Sequence, residues 1–145
     1  MKTLRNSTAL LLATLMLSCG TTEPSESPNT MKAIIDNASW ESVNVSAVQD
    51  GGQLTLSGTN AIGDKLQFTI FPDGPGSYPL GQGKHAGFYA DEFSEWWAFG
   101  FGAGSLTILV LDEERVAGYF GFQGKDTANG QPNRTIASGT FDIGF

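Results

Sequence analysis

The chain has 145 residues, with 8 Lys and Arg against 15 Asp and Glu, a length that suits one domain of about 100–200 residues. That acidity disfavours a nucleic-acid binder, which would present a basic face, and a single Cys excludes an internal disulfide and any cysteine-cluster zinc site. Ten Phe, three Trp and three Tyr, all from residue 40 onward, argue against disorder over most of the chain.

The N-terminus reads as an export signal. Lys2 and Arg5 make a short positive region, and Ala9 to Leu17 is an apolar run broken only by Thr14. The run is too short for a bilayer core, which needs about 20 apolar residues. Met16-Leu17-Ser18-Cys19 resembles a lipobox, the site at which bacteria attach diacylglycerol to the Cys and cleave before it. Residues 1–18 are then a lipoprotein signal peptide, and Cys19 is a lipidated anchor with no redox or catalytic role. Several acyl chains on one residue hold a protein stably, at about 0.8 kcal/mol per buried CH₂. Cleavage removes Lys2 and Arg5, which makes the remaining chain more acidic and disfavours docking on anionic lipid. Residues 19–30 continue as a small, polar, twice-proline-broken tether.

From residue 31 to 145, period-2 alternation recurs and an all-β domain is expected. Val43, Val45 and Ala47 share a face before an Asp50-Gly51 turn, and Leu54 and Leu56 follow. Gly63-Asp64 turns the chain into Leu66, Phe68 and Ile70. Pro72 to Gly76 is a loop, and a short extended piece carries Tyr78 and Leu80. Strands are expected at 86–90 and 95–101, then at Leu106 to Val110 and Val116 to Phe122. Asp126 to Asn133 is a polar loop, and Thr135 to Phe145 closes the chain. This makes an antiparallel meander of about nine short strands, forming a β-sandwich or a partly open β-barrel. A helical reading exists only at Asp91 to Phe99, where Phe93, Trp96 and Trp97 fall at i, i+3 and i+4.

Several segments together resemble a known family. They are Ile35-Asp36 followed by Trp40, Leu54-Thr55-Leu56-Ser57-Gly58-Thr59, Gly76-Ser77-Tyr78-Pro79-Leu80-Gly81, Gly104-Ser105-Leu106-Thr107-Ile108, Arg115-Val116-Ala117-Gly118-Tyr119-Phe120 and Ser138-Gly139-Thr140-Phe141. The ordered set, over residues 31–145, is similar to a family of uncharacterised Bacteroidota lipoproteins catalogued as a domain of unknown function. The resemblance implies an all-β domain, a structural role for Trp40, and a protein exported and lipid-anchored in the bacterial envelope, at the outer membrane. It implies no activity and no catalytic residue.

Reactive groups are scarce. His85 is the single histidine, which excludes an H-E-x-x-H zinc motif and leaves one possible base for a catalytic triad. No G-x-S-x-G elbow accompanies it. The alternating glycines Gly100, Gly102 and Gly104 are not followed by a helix, so they predict a bend or a close backbone approach, not a phosphate cradle. Acids cluster at Asp91, Glu92 and Glu95 and at Asp112 to Glu114, without the spacing of a calcium loop. Such clusters are expected mainly as solvated turns. No cofactor is implied.

The feature that points to function is the aromatic density from Phe88 to Phe101. Neighbours in a strand face opposite ways, so Trp96 and Trp97 cannot both enter the core. Tyr89, Trp96 and Trp97 with Asp91, Glu92 and Glu95 are therefore the candidate ligand-contact patch, suited to stacking on sugar rings or packing on an apolar partner. Asp126-Thr127-Ala128 resembles an O-glycosylation signal of exported Bacteroidota proteins, which makes Thr127 a candidate modification site. The expected function is non-catalytic binding or scaffolding at the cell envelope, with a glycan, an apolar ligand or an envelope protein as partner. A small barrel carrying an apolar ligand inside is the second reading, and a carboxylate-dependent hydrolase the third.

Overall fold

A computed structural model describes residues 29–145; the segments expected as a signal peptide, the Cys19 anchor and the tether as far as Pro28 lie outside the described residues. The described chain is all-β. Its strands are β1 (Thr30–Ile35), β2 (Ala38–Glu41), β3 (Asn44–Asp50), β4 (Gln53–Thr59), β5 (Lys65–Ile70), β6 (Gly76–Pro79), β7 (Ala86–Ala90), β8 (Glu95–Ala98), β9 (Gly104–Leu111), β10 (Arg115–Asp126) and β11 (Arg134–Gly144). Nine of them answer to the strands that the alternation predicts. The other two, β1 and β2, form a hairpin whose Asp36-Asn37 turn has φ of 47° and 70°. A two-residue turn of this hand needs positive φ at both positions, and Asp and Asn tolerate it better than other residues with a side chain.

Every strand pairing is antiparallel, and the sheet runs β2-β1-β11-β10-β8-β7-β5-β4-β3, curled into a half-barrel. The order departs from a simple meander where the first strand meets the last and in the middle. β1 pairs with β11, so the first strand is clasped by the last. The twelve-residue β10 carries β9 along Val116–Phe122 and β8 along Gly124–Asp126. β8 and β9 therefore lie end to end on one edge of β10. β7 and β6 lie end to end in the next row, β7 against β8 and β6 against β9.

Two loops, 80–85 and 99–103, leave the sheet where these rows break, and the Gly100 N–H donates to the Gly81 carbonyl at 3.2 Å. Gly104 ends the glycine run at φ 153°, and a Cβ there would collide with the Gly121 carbonyl oxygen. The run is thus a close backbone approach, with Phe101 held out at its tip, 96 % exposed. The helical spacing at Asp91–Phe99 goes unused. Asp91–Ser94 is a turn and β8 follows it, because an extended Trp96-Trp97 pairs with β7 on one side and β10 on the other.

Inward residues fill the half-barrel. Leu54, Leu56, Leu66, Phe68, Ile70, Leu106, Ile108, Val116, Ile136 and Ile143 are buried, each such side chain contributing about 1.5–3 kcal/mol. Phe68 lies at the centre, 4.6 Å from Phe120 and 5.9 Å from Phe122 between ring centroids. Trp40 on β2 closes the gap toward β4, where Gly58 leaves space for it. A Cβ at Gly58 would lie 3.1 Å from the indole and 2.8 Å from the Met31 sulfur.

Candidate functional site

Four turns meet at one end of the half-barrel: Asp36-Asn37, Asn60–Asp64, Asp91–Ser94 and the 127–133 loop between β10 and β11. Side chains tie them together. Arg134, the first residue of β11, donates to Asp36 at 2.8 Å and pairs with Asp91 at 3.6 Å. Its guanidinium lies over the Trp96 ring at 4.7 Å, and Tyr89 stacks on the same indole at 5.7 Å. The Tyr89 hydroxyl donates to Asp64 at 3.0 Å, and Asn60 donates to the same oxygen at 3.1 Å.

The acids at this end organise the backbone. Asp91 Oδ1 accepts the N–H groups of Phe93 and Ser94 at 2.8 and 3.0 Å. Asp126 Oδ1 accepts those of Ala128 and Asn129, both at 2.8 Å, and Asp112 does the same for Glu114 and Arg115 at the far end of the fold. Each Asp opens a turn by accepting from the second and third residues after it, which answers the expectation that the acidic clusters are turns. Asp126 Oδ2 also accepts from the buried Ser94 hydroxyl at 2.7 Å. The Asn129 N–H, the Ser94 hydroxyl and the other donors hold the Asp126 carboxyl down at about 2. Among the described residues, no group of three or more His, Cys, Asp or Glu is placed to hold a metal ion.

The six candidate contact residues do not form one exposed patch. Tyr89 and Trp96 are 6 % and 2 % exposed and face inward, so of the two adjacent tryptophans it is Trp97 that turns outward. Strand parity decides this. Tyr89 is paired with Trp96, and Phe88 with Trp97, so each pair shares a face. The outward aromatics are Phe88 and Trp97, 4.6 Å apart between centroids, with Lys65 over Phe88 at 5.8 Å. The Trp97 N–H donates to Glu95 at 3.1 Å, which fixes the indole.

An open recess of about 320 Å³ brings together Asp91, Glu95, Trp97 and Thr127 with Phe93 and Asn129. Phe93 is 78 % exposed at its rim. A neighbouring recess takes in Tyr89, Asp91 and Glu92 with Ile62 and Asp64. Trp96 lies apart from both, beneath Arg134 and beside Pro132.

A family model described as a domain of unknown function (DUF6252) matches residues 27–143. The chain belongs to the DUF6252 family. No curated protein and no solved structure matches it. In this DUF6252 domain, sequence reasoning missed Arg134 and Asp36, which are 98 residues apart in the chain and carried no local signal. Asp64 was legible as a turn residue, but its partnership with Tyr89, 25 residues on, was not. Burial pushes the Tyr89 hydroxyl well above its ordinary range, reinforced by the Asp64 carboxylate it bonds. Desolvation works against ionisation of Asp36, yet the Thr135 N–H and the Arg134 guanidinium bring its carboxyl below the usual value. The DUF6252 domain therefore holds a neutral phenol at Tyr89 and ionised carboxylates at Asp36 and Asp126 at this end.

Proposed function

We propose that the chain is an exported lipoprotein of the bacterial envelope, of the kind found in Bacteroidota, anchored through Cys19, whose β domain binds a partner without catalysis. The reading rests on one observation. Trp97, Glu95, Asp91 and Thr127, each singled out from sequence, line one open recess walled by the exposed Phe93. An indole fixed by Glu95 and a facing phenyl ring suit the flat face of a sugar or an apolar side chain, and the partner is a glycan, an apolar ligand or an envelope protein.

Two further features support this over the alternatives. Phe68, Phe120, Phe122 and Phe141 occupy the middle of the half-barrel, where a carrier would need space for its ligand. The carboxylates of Asp91 and Asp126 are engaged by backbone N–H donors that fix their turns, which disfavours a hydrolytic role for them. The chain enters the domain at Thr30, the end of β1 away from the Asp36-Asn37 turn.

The test is a set of Trp→Phe variants of the full chain, read by acrylamide quenching and by glycan and peptide arrays. Trp97 is expected to carry the quenchable emission, and Trp97→Ala to lose array binding with the thermal midpoint kept. Quenching that survives removal of Trp97, together with blank arrays, overturns the reading.

A further inference from the structure

Seven large apolar side chains among the described residues are more than half exposed. Val43, Val48, Ile62, Phe93 and Leu109 each have an Asp or Glu within three positions in the chain. Phe99 and Phe101, 64 % and 96 % exposed, do not. No charged residue occurs between Glu95 and Asp112, and the 80–85 loop adds one formal charge, the ammonium of Lys84. On a chain with 15 Asp and Glu against 8 Lys and Arg, these two loops make an aromatic tip without an acid.

The backbone builds this tip. The Gly100 N–H donates to the Gly81 carbonyl at 3.2 Å and ties the two loops together. The Gln123 N–H donates to the Ala103 carbonyl at 2.7 Å, and the Leu80 N–H to the Gly104 carbonyl at 2.9 Å, which fix their bases. Gly100 and Gly102, at φ of 87° and 76°, turn the chain on either side of Phe101. The Lys84 ammonium lies over the Phe71 ring at 4.8 Å.

Charge and size say what covers such a tip. Two rings offer far less than the roughly 800 Å² that a stable protein partner covers on each side. A bilayer asks less. Apolar rings dip below the headgroups while the backbone stays in water, because unpaired peptide groups do not enter hydrocarbon. Carboxylates are costly at that depth, whereas an ammonium is drawn to the lipid phosphates. This separates Phe99 and Phe101 from the other five exposed side chains. A bilayer at Cys19 is also within reach, since the eleven residues from Cys19 to Thr30 span at most about 40 Å. The strand pairings put Gly104 three strands across and five residues along from Thr30, about 20–25 Å away.

We propose that the 99–103 loop docks on the lipid surface, with Phe99 and Phe101 entering the acyl boundary and Lys84 at the level of the phosphates. The inference rests on the reading of Cys19 as a lipid anchor. The anchor keeps the domain near the bilayer, and the loop sets which side of the domain meets it.

The experiment uses the ¹⁵N-labelled full chain, coupled through its one cysteine, Cys19, to a maleimide-bearing lipid in phosphatidylcholine nanodiscs. Some of the lipids carry a nitroxide on the acyl chain. The coupling supplies the tether whether or not the native protein is acylated. The amide signals of Gly100 and Gly102 are expected to lose most of their intensity and to regain it when ascorbate reduces the nitroxide. Those of Gly63 and Gly130, in turns of the candidate binding end, are expected to keep theirs. Phe99→Ser combined with Phe101→Ser is expected to abolish the loss with the thermal midpoint kept. Ile62→Ser, at an apolar side chain 83 % exposed elsewhere, is expected to leave it in place. Should the double variant fail to fold, Phe101→Ser alone is expected to weaken the loss. Gly100 and Gly102 signals that keep their intensity overturn the docking. So does equal broadening at all four glycines, or a loss that survives the serine variants. The intact mass of the protein from its host is read separately. A native Cys19 without acyl mass overturns the anchor and not the loop's affinity for lipid, which the nanodiscs report by themselves.

Discussion

Arg134 and Trp96 form a stacked pair that joins the two edges of β10, the guanidinium standing 4.7 Å from the centre of the indole. Arg134 begins β11 on one side of β10, and Trp96 sits in β8 on the other. The same guanidinium reaches Asp36 in the β1–β2 turn and Asp91 in the β7–β8 turn. One side chain thus links two of the four turns at the candidate binding end to the start of β11. It can do so because a guanidinium presents donors along its edge and a flat face to a ring.

Replacing it with lysine separates charge from shape. Arg134→Lys keeps the positive charge but has neither the fork for two carboxylates nor the planar face. The expected loss of stability is about 1 kcal/mol, since the side chain is partly exposed and its ion pairs are screened. Urea unfolding checks this as a lower midpoint with an unchanged slope. An unchanged midpoint would mean that the carboxylate contacts and the stacking contribute nothing net.

Two strand glycines should differ in what they tolerate. A Cβ at Gly139 would sit 2.6 Å from Phe120 Cζ, and Phe120 is itself wedged between Phe68 and Phe141. A Cβ at Gly58 would meet Met31 at 2.8 Å through its flexible thioether. Overpacking costs about 1–3 kcal/mol, and methionine adapts more readily than a clamped phenyl ring. Gly139→Ala is therefore expected near the top of that range and Gly58→Ala near the bottom. Thermal melts of the two variants side by side decide it, and the reverse order would refute this account of the packing.

How much of this was legible in the sequence follows from the range of each interaction. Leu66, Phe68 and Ile70 declare their face through alternation alone, and so do Phe141, Ile143 and most of the core. The β1–β2 hairpin was harder, because its turn is Asp36-Asn37 with no glycine and its strands are short. Alternation also showed that Trp96 and Trp97 must part company. It could not show which one goes inward, because both are equally apolar and only the pairing of Tyr89 with Trp96 sets the parity. The carboxylate turns had a local signature, an Asp two and three residues before the N–H groups it accepts from. The Arg134 linkage had none, since Asp36 and Asp91 reach it only after the sheet has closed β1 onto β11.

Asp126 predicts acid sensitivity at this end. Its carboxyl is held at about 2 in the fold, against about 3.9 in an unfolded chain. A group whose value is lowered by folding stabilises the fold fully above the unfolded value and loses that contribution as the pH falls through the folded one. The window is therefore from about pH 4 down to about pH 2. Protonation weakens the acceptor for the Ala128, Asn129 and Gln131 N–H groups and for the Ser94 hydroxyl. Asp126→Asn is expected to melt lower than the parent at pH 7 and to show a shallower fall across that window. Parallel slopes for parent and variant would place the acid sensitivity elsewhere.

His85 makes the opposite kind of group, one whose charged form the fold disfavours. Its Nδ1 accepts the Phe71 N–H at 3.3 Å, which an imidazole protonated on that nitrogen cannot do. The ring lies against Tyr78 at 5.5 Å and Phe71 at 6.5 Å. Partial burial lowers its pKa, and the neighbouring Lys84 ammonium lowers it further. The unfolded chain therefore takes up the proton first as the pH drops below about 6.5, and stability falls from there until the folded form protonates as well. His85 is the chain's single histidine, so a loss of stability between about pH 7 and about pH 5 has one side chain to answer for it. His85→Asn offers an amide oxygen in place of Nδ1 and does not titrate. Urea midpoints across that interval should slope for the parent and lie flat for the variant. A slope that survives the substitution would show that the 71–85 seam is not what senses the proton.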